Sequence, residues 1–210
     1  MLLNFLDLLG TGVFAATGAM VAARRNLDIF GALVLAFVTA VGGGTIRDFT
    51  LGSMPVFWVH DTSYLAIIFL STALTLFGRR WWDQTRAILL VSDALGLGVF
   101  TVIGIEKALR FGVPPMTAVM MGVLTGAGGG LIRDILAGRV PMVLRSEIYA
   151  TAAIAGGLFY IVMQDVGIAR SVVAIACACV VFCLRLLAIY CNMSLPRLTA
   201  PKQSRKPVRE

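Results

Sequence analysis

Seven apolar stretches, separated by short polar breaks, run through this chain: 2–23, 29–51, 63–78, 87–105, 115–137, 148–163 and 172–190. All are of helix length, and about 20 apolar residues suffice for a helix to cross the hydrocarbon core of a bilayer. The breaks carry turn or charge signals: Arg24-Arg25-Asn26, Met54-Pro55, Arg79-Arg80, Gly112-Val113-Pro114, Gly138-Arg139-Val140-Pro141 and Gln164-Asp165. The pattern predicts an all-α membrane protein with seven transmembrane helices. The third and sixth stretches are short, which implies tilt, local thinning or burial against neighbours. The first stretch lacks a positively charged start and reads as a mature span, not a signal peptide.

Sliding the sequence by 86 positions superposes Asp7 on Asp93, Gly10 on Gly96, Phe14 on Phe100, Gly18 on Gly104, Arg24 on Arg110, Gly52 on Gly138 and Pro55 on Pro141, without a gap. Internal duplication accounts for this. Three spans per copy is an odd number, so the second copy starts from the opposite face of the membrane. The expected architecture is a 3+3 inverted repeat with one trailing helix. Its divisions are a first repeat at 1–86, a second at 87–165, the seventh helix at 166–192 and a basic tail at 193–210.

The best-matched segment is a motif: Val-Gly-Gly-Gly-Thr-Ile-Arg-Asp at 41–48 and Ala-Gly-Gly-Gly-Leu-Ile-Arg-Asp at 127–134. Each consecutive glycine weakens a helix by about 1 kcal/mol relative to alanine, so the second and fifth helices are expected to break there. Freed backbone groups in a membrane need protein or a wet cavity, which makes Gly42, Gly43, Gly44, Gly128, Gly129 and Gly130 candidates for a solute or ion pathway. Arg47, Asp48, Arg133 and Asp134 follow each run. Adjacent helical side chains do not face one another, so each is expected to find its partner on another helix, as a gate or as an anchor. Asp7 and Asp93 form a second intramembrane pair, with a role in the pathway or in helix contact.

Composition narrows the function classes. The chain is 59% hydrophobic and 14% charged, leaving no room for a soluble domain. Its net charge of +7 is spread over loops and tail rather than a nucleic-acid-binding face. With the N-terminus outside, Arg24, Arg25, Arg79, Arg80, Arg86, Arg139, Arg145 and the basic tail lie inside, whereas only Lys107, Arg110 and Arg170 lie outside; this predicts N-out and C-in. The tail is expected to rest on anionic headgroups. Arg185 is expected to snorkel to the inner interface. Cys177, Cys179, Cys183 and Cys191 read as small apolar helix residues without metal or disulfide chemistry. The single histidine, His60, and Trp58, Trp81 and Trp82 read as interfacial. No nucleophile and base are clustered, so an enzyme is not expected, and no cofactor or metal is implied.

The doubled Gly-Gly-Gly-x-Ile-Arg-Asp, the Pro-Val-Phe-Trp-Val run at 55–59 and Arg-Ser-Glu-Ile-Tyr-Ala-Thr at 145–151 resemble the bacterial glycine-transporter family, whose fold is shared with the trimeric intracellular cation channels. The resemblance spans about residues 4–190. It implies a homotrimer in the bacterial inner membrane, with a pathway in each protomer between two broken helices and with the motif residues 42–44, 47–48, 128–130 and 133–134 along it. The solute, glycine or a monovalent cation, stays open on the residues, as does a non-transporting scaffold.

Overall fold

The structure, a computed structural model, describes residues 2–78, 85–145, 148–164 and 166–191. Arg79, Arg80, Trp81, Trp82, Glu147 and the basic tail lie outside these residues. Among the described residues there are nine helices: α1 Leu2–Arg24, α2 Ile29–Leu51, α3 Phe57–His60, α4 Ser63–Phe77, α5 Thr85–Arg110, α6 Pro115–Leu136, α7 Met142–Arg145, α8 Ala150–Gln164 and α9 Arg170–Tyr190. Five of them, α1, α2, α5, α6 and α9, are long and apolar enough to cross a membrane. The third and sixth apolar stretches become the 15-residue helices α4 and α8. Each spans about 22 Å, short of a full hydrocarbon core. One-turn helices, α3 and α7, stand before them in corresponding places.

Local signals set the helix ends. Asp28 caps α2, its Oδ1 accepting from the Gly31 amide at 2.7 Å. Pro115 occupies the first turn of α6, where no intrahelical donor is lost. Both α2 and α6 end on a left-handed glycine, Gly52 at φ 69° and Gly138 at φ 63°. In each case the next amide returns to the motif aspartate's carbonyl: Ser53 N to Asp48 O and Arg139 N to Asp134 O, both at 2.8 Å.

The polarity of the molecule is turned inside out. Phe5, Phe30, Phe49, Phe69 and Phe77 are more than half exposed, whereas Arg47, Asp48, Asp93, Arg133, Asp134 and Arg185 are buried. That inversion suits a chain solvated by lipid, where apolar surface costs nothing and charge must be enclosed. α1 packs on α2 and α4, α5 packs on α6 and α9, and the two groups meet where α2 crosses α6 and α1 crosses α5.

The crossings are reciprocal. A methyl built on Gly43 would overlap the Thr125 carbonyl oxygen, and one built on Gly129 would overlap the Thr39 carbonyl oxygen, Thr39 and Thr125 being 86 positions apart. At the second crossing Gly10 lies against the Phe100 ring and Gly96 against the Phe14 ring, with the two ring centroids 5.0 Å apart.

The glycine runs do not break their helices, contrary to the propensity argument: α2 and α6 are continuous through 42–44 and 128–130. Three glycines forfeit about 3 kcal/mol of helix propensity. Interrupting the backbone ladder would leave several polar groups without partners in hydrocarbon, at several kcal/mol each. The helix therefore persists, and the missing side chains are used for backbone-to-backbone approach, as small residues are in membrane interfaces.

Candidate functional site

Charged side chains gather into two nodes, one beyond each end of the α2–α6 crossing. In the first, Asp48 accepts from Arg47 Nε at 2.8 Å, from Lys107 Nζ at 2.7 Å and, through its other oxygen, from the Phe57 amide at 3.0 Å. The Arg47 guanidinium lies 5.5 Å from the Phe57 ring centroid. Asp7 accepts from the Tyr64 hydroxyl at 2.7 Å. Nearby, Glu106 receives Arg110 Nη2 at 3.0 Å and the Tyr160 hydroxyl at 3.1 Å. A cavity of about 250 Å³ opens here, lined by both signs of charge: Asp7 and Glu106, Arg47, Lys107 and Arg110.

The second node is closed. Arg133, 0% exposed, donates from Nη1 to Asp93 at 2.9 Å and to Thr17 Oγ1 at 3.0 Å, and from Nε to Asp134 at 3.1 Å. Asp134 Oδ2 accepts the Met142 amide at 3.0 Å, as Asp48 accepts that of Phe57. Each motif aspartate thus holds the one-turn helix that follows it, which accounts for an aspartate at the end of each glycine motif. Behind Arg133, the Arg185 guanidinium stacks 4.8 Å from the Tyr149 ring centroid and donates to the Ile148 carbonyl at 3.3 Å.

Two sequence expectations need correction. Arg47 and Arg133 do bond the aspartate beside them, because the Arg side chain is long enough to fold back and offer Nε, and in Arg133 Nη1 still reaches Asp93 and Thr17. The expected partners on other helices are present too, Lys107 for Asp48 and Asp93 for Arg133. Arg185 does not snorkel: it is 2% exposed, held between α9 and the start of α8. The glycines pack closely at the crossing, where Gly42 faces Ile132 and Gly44 lies under the Phe57 ring. Cys177 behaves as a small helix residue, its thiol donating to the Gly156 carbonyl at 3.0 Å.

Lys107, Glu106, Tyr64, Tyr149 and Thr17 join the nodes without being among the site residues that the sequence marks. α5 runs to Arg110 instead of ending at Ile105, which brings Glu106 and Lys107 onto the bundle. The available signal was a Glu and a Lys placed just before Arg110, the partner of Arg24 in the repeat. Asp7 and Asp93 occupy matched positions yet differ in environment, because Thr17 and Tyr64 fall opposite Ile103 and Ala150 in the repeat.

Tyr64→Phe is expected to destabilise the protein by about 1.5 kcal/mol, the lower end for a hydrogen bond to a charged group since Asp7 is only partly enclosed. Thermal unfolding in detergent measures it.

Comparison with known proteins gives concordant matches. The sequence model described as "Glycine transporter" matches twice, at residues 4–80 and 90–165. A UPF0126 membrane protein of Vibrio cholerae is 48% identical over 207 residues, 96% of this chain and 84% of the relative. The UPF0126 inner membrane protein YadS of Escherichia coli K12 is 50% identical over 161 residues, 76% of this chain and 78% of the relative. Among solved structures, the Rhodobacter sphaeroides orthologue of the TRIC trimeric intracellular cation channel is 39% identical with a TM-score of 0.86, covering 91% of this chain and 99% of its own. A prokaryotic TRIC channel is 31% identical with a TM-score of 0.87, covering 93% and 99%. With its two matched repeats, its buried charged nodes and its outward apolar surface, the chain belongs to the glycine-transporter (UPF0126) family of membrane proteins and has the fold of the TRIC cation channels.

Proposed function

We propose that this protein is a bacterial inner-membrane transport protein that moves a small solute, glycine or a monovalent cation, through a pathway in each protomer of a homotrimer. The observation that carries the reading is the unlike state of the two charged nodes flanking one glycine crossing. Beside Arg47 and Lys107 a cavity with both signs of charge opens, while around Arg133 the charges are enclosed. The arrangement suits a pathway wetted from one end and sealed at the other, the state of a gated passage at rest. Mixed charge suits a zwitterion, whose carboxylate and ammonium each need a partner, and its carboxylates suit a cation.

In this reading the chain is a 3+3 inverted repeat with domains 1–86 and 87–165, a seventh helix at 166–192 and a cytoplasmic tail. The N-terminus is outside, so the open node faces out and the sealed node faces the cytoplasm. The double match of one family model and the reciprocal glycine contacts support the repeat. The pathway residues are Asp7, Arg47, Asp48, Asp93, Arg133 and Asp134, with Gly42–Gly44 and Gly128–Gly130 as the crossing on which α2 and α6 shift.

Cation conduction without amino-acid transport is the second reading, favoured by the likeness to TRIC channels. Purified protein in liposomes, assayed in parallel for labelled glycine uptake and potassium flux, separates them. Saturable glycine uptake is the expected result for a carrier, and potassium flux alone for the channel. Neither flux from intact trimers would overturn both readings in favour of a scaffold.

A further inference from the structure

Among the described residues, the second node concentrates buried polar atoms that have no hydrogen-bond partner: Asp93 Oδ2, Arg133 Nη2, the Tyr149 hydroxyl and Arg185 Nε. Folded proteins seldom leave several such atoms together unless something joins them. Three of the residues converge on one point. The place where a Cβ of Gly130 would lie is 3.4 Å from Asp93 Oδ1, 3.4 Å from the Tyr149 hydroxyl and 3.5 Å from Arg133 Nη2.

The matching position in the first repeat is filled. There the Phe57 ring comes within 2.6 Å of where a Cβ of Gly44 would lie. Over Gly130 no side chain takes that place, and the surrounding atoms are polar. The local charge is balanced, Asp93 and Asp134 against Arg133 and Arg185, so a neutral occupant fits. It must be about one heavy atom in size and both donate and accept.

We propose that a single buried water molecule sits over Gly130. It accepts hydrogen bonds from Arg133 Nη2 and the Tyr149 hydroxyl and donates one to the Asp93 carboxylate, giving it three polar partners, the usual number for an internal water. The water ties α5 and α6, already linked directly by the Arg133–Asp93 ion pair, to the corner before α8. Arg185 holds the Tyr149 ring in position from the other side. The site does not depend on what the protein transports.

Gly130→Ala discriminates. An added methyl meets its neighbours at ordinary contact distance, and alanine improves helix propensity, so with no water the thermal unfolding midpoint of the full chain in detergent rises or holds. With the water, the methyl displaces it and orphans three buried groups, and the midpoint falls by several degrees. Tyr149→Phe lowers the midpoint too, and the Gly130→Ala/Tyr149→Phe double variant falls no further than the worse single one, because both remove the same bridge. A rise or no change for Gly130→Ala, or additive losses, overturns the proposal. An experimental map of the unaltered protein adds an independent reading. Density within hydrogen-bond distance of all three atoms supports the water, and direct bonds with no density between them overturn it.

Discussion

Alanine at Gly43 or at Gly129 is expected to cost about 3 kcal/mol of stability, at the upper end of what overpacking a close-packed interior costs. The added carbon would overlap a backbone carbonyl oxygen, Thr125 O in one case and Thr39 O in the other. A backbone atom in the middle of a continuous helix cannot rotate aside, so α2 and α6 must separate along the crossing. Gly42→Ala is the contrast: its methyl would meet the Ile132 Cδ1 atom at 2.6 Å, the end of a flexible side chain that can swing away. Its cost is expected to stay below about 1 kcal/mol, as for a tolerated core change. Solubilised protein by size-exclusion chromatography and thermal unfolding reads the series. Equal losses at the three positions would mean that α2 and α6 are not held by this backbone contact. Gly43→Ala and Gly129→Ala should also lose equally, since their contacts mirror each other across the 86-residue repeat.

That mirror relation was legible in the sequence because duplication preserves spacing, and spacing is what periodicity reads. The seven apolar stretches correspond to the seven longer helices, and Pro55 and Pro141 stand just ahead of the one-turn helices α3 and α7. What failed was an energetic inference. Helix propensity is measured where a broken helix can bond to water, and in hydrocarbon that alternative is missing, so the glycine runs stay helical. The charged nodes were half legible. Arg47, Asp48, Arg133 and Asp134 stand out as costly in an apolar stretch, but their partners depend on which helices touch, and a single sequence does not hold that information. Lys107 and Tyr64 are a lysine near a helix end and a tyrosine at a helix start, unremarkable until α5 and α4 are folded against the first node. Arg185 shows the same limit from the other side. A lone arginine near the end of a span usually reaches for water, and this one instead finds the Tyr149 ring and the Ile148 carbonyl inside the bundle.

Arg133→Leu is expected to be the most damaging single change in the charged framework, costing about 4 kcal/mol, the range for removing one partner of a buried ion pair. The side chain is 0% exposed and answers two carboxylates and a hydroxyl, so its loss strands Asp93 and Asp134 together. Asp93→Asn should cost less, about 2 kcal/mol, because the amide oxygen still accepts from Arg133 and Asp134 still neutralises it. Lys107→Met, at the open node, should cost about 1 kcal/mol, since the ammonium is partly exposed and Asp48 keeps both Arg47 and the Phe57 amide. The order Arg133 above Asp93 above Lys107 follows from how many charges each change leaves enclosed without an answer, and unfolding midpoints in detergent measure it. Combining Arg133→Leu with Asp93→Asn should recover part of the loss, because the pair then leaves one charge uncompensated instead of two. If the enclosed node is the seal of a pathway, Asp93→Asn should also raise basal flux in liposomes under conditions where the protein remains folded, while Lys107→Met, at the end already open, should alter solute preference without adding leak. Unchanged flux in a folded Asp93→Asn protein would make the Arg133 node a structural clamp, and the gate would then have to lie at the glycine crossing itself.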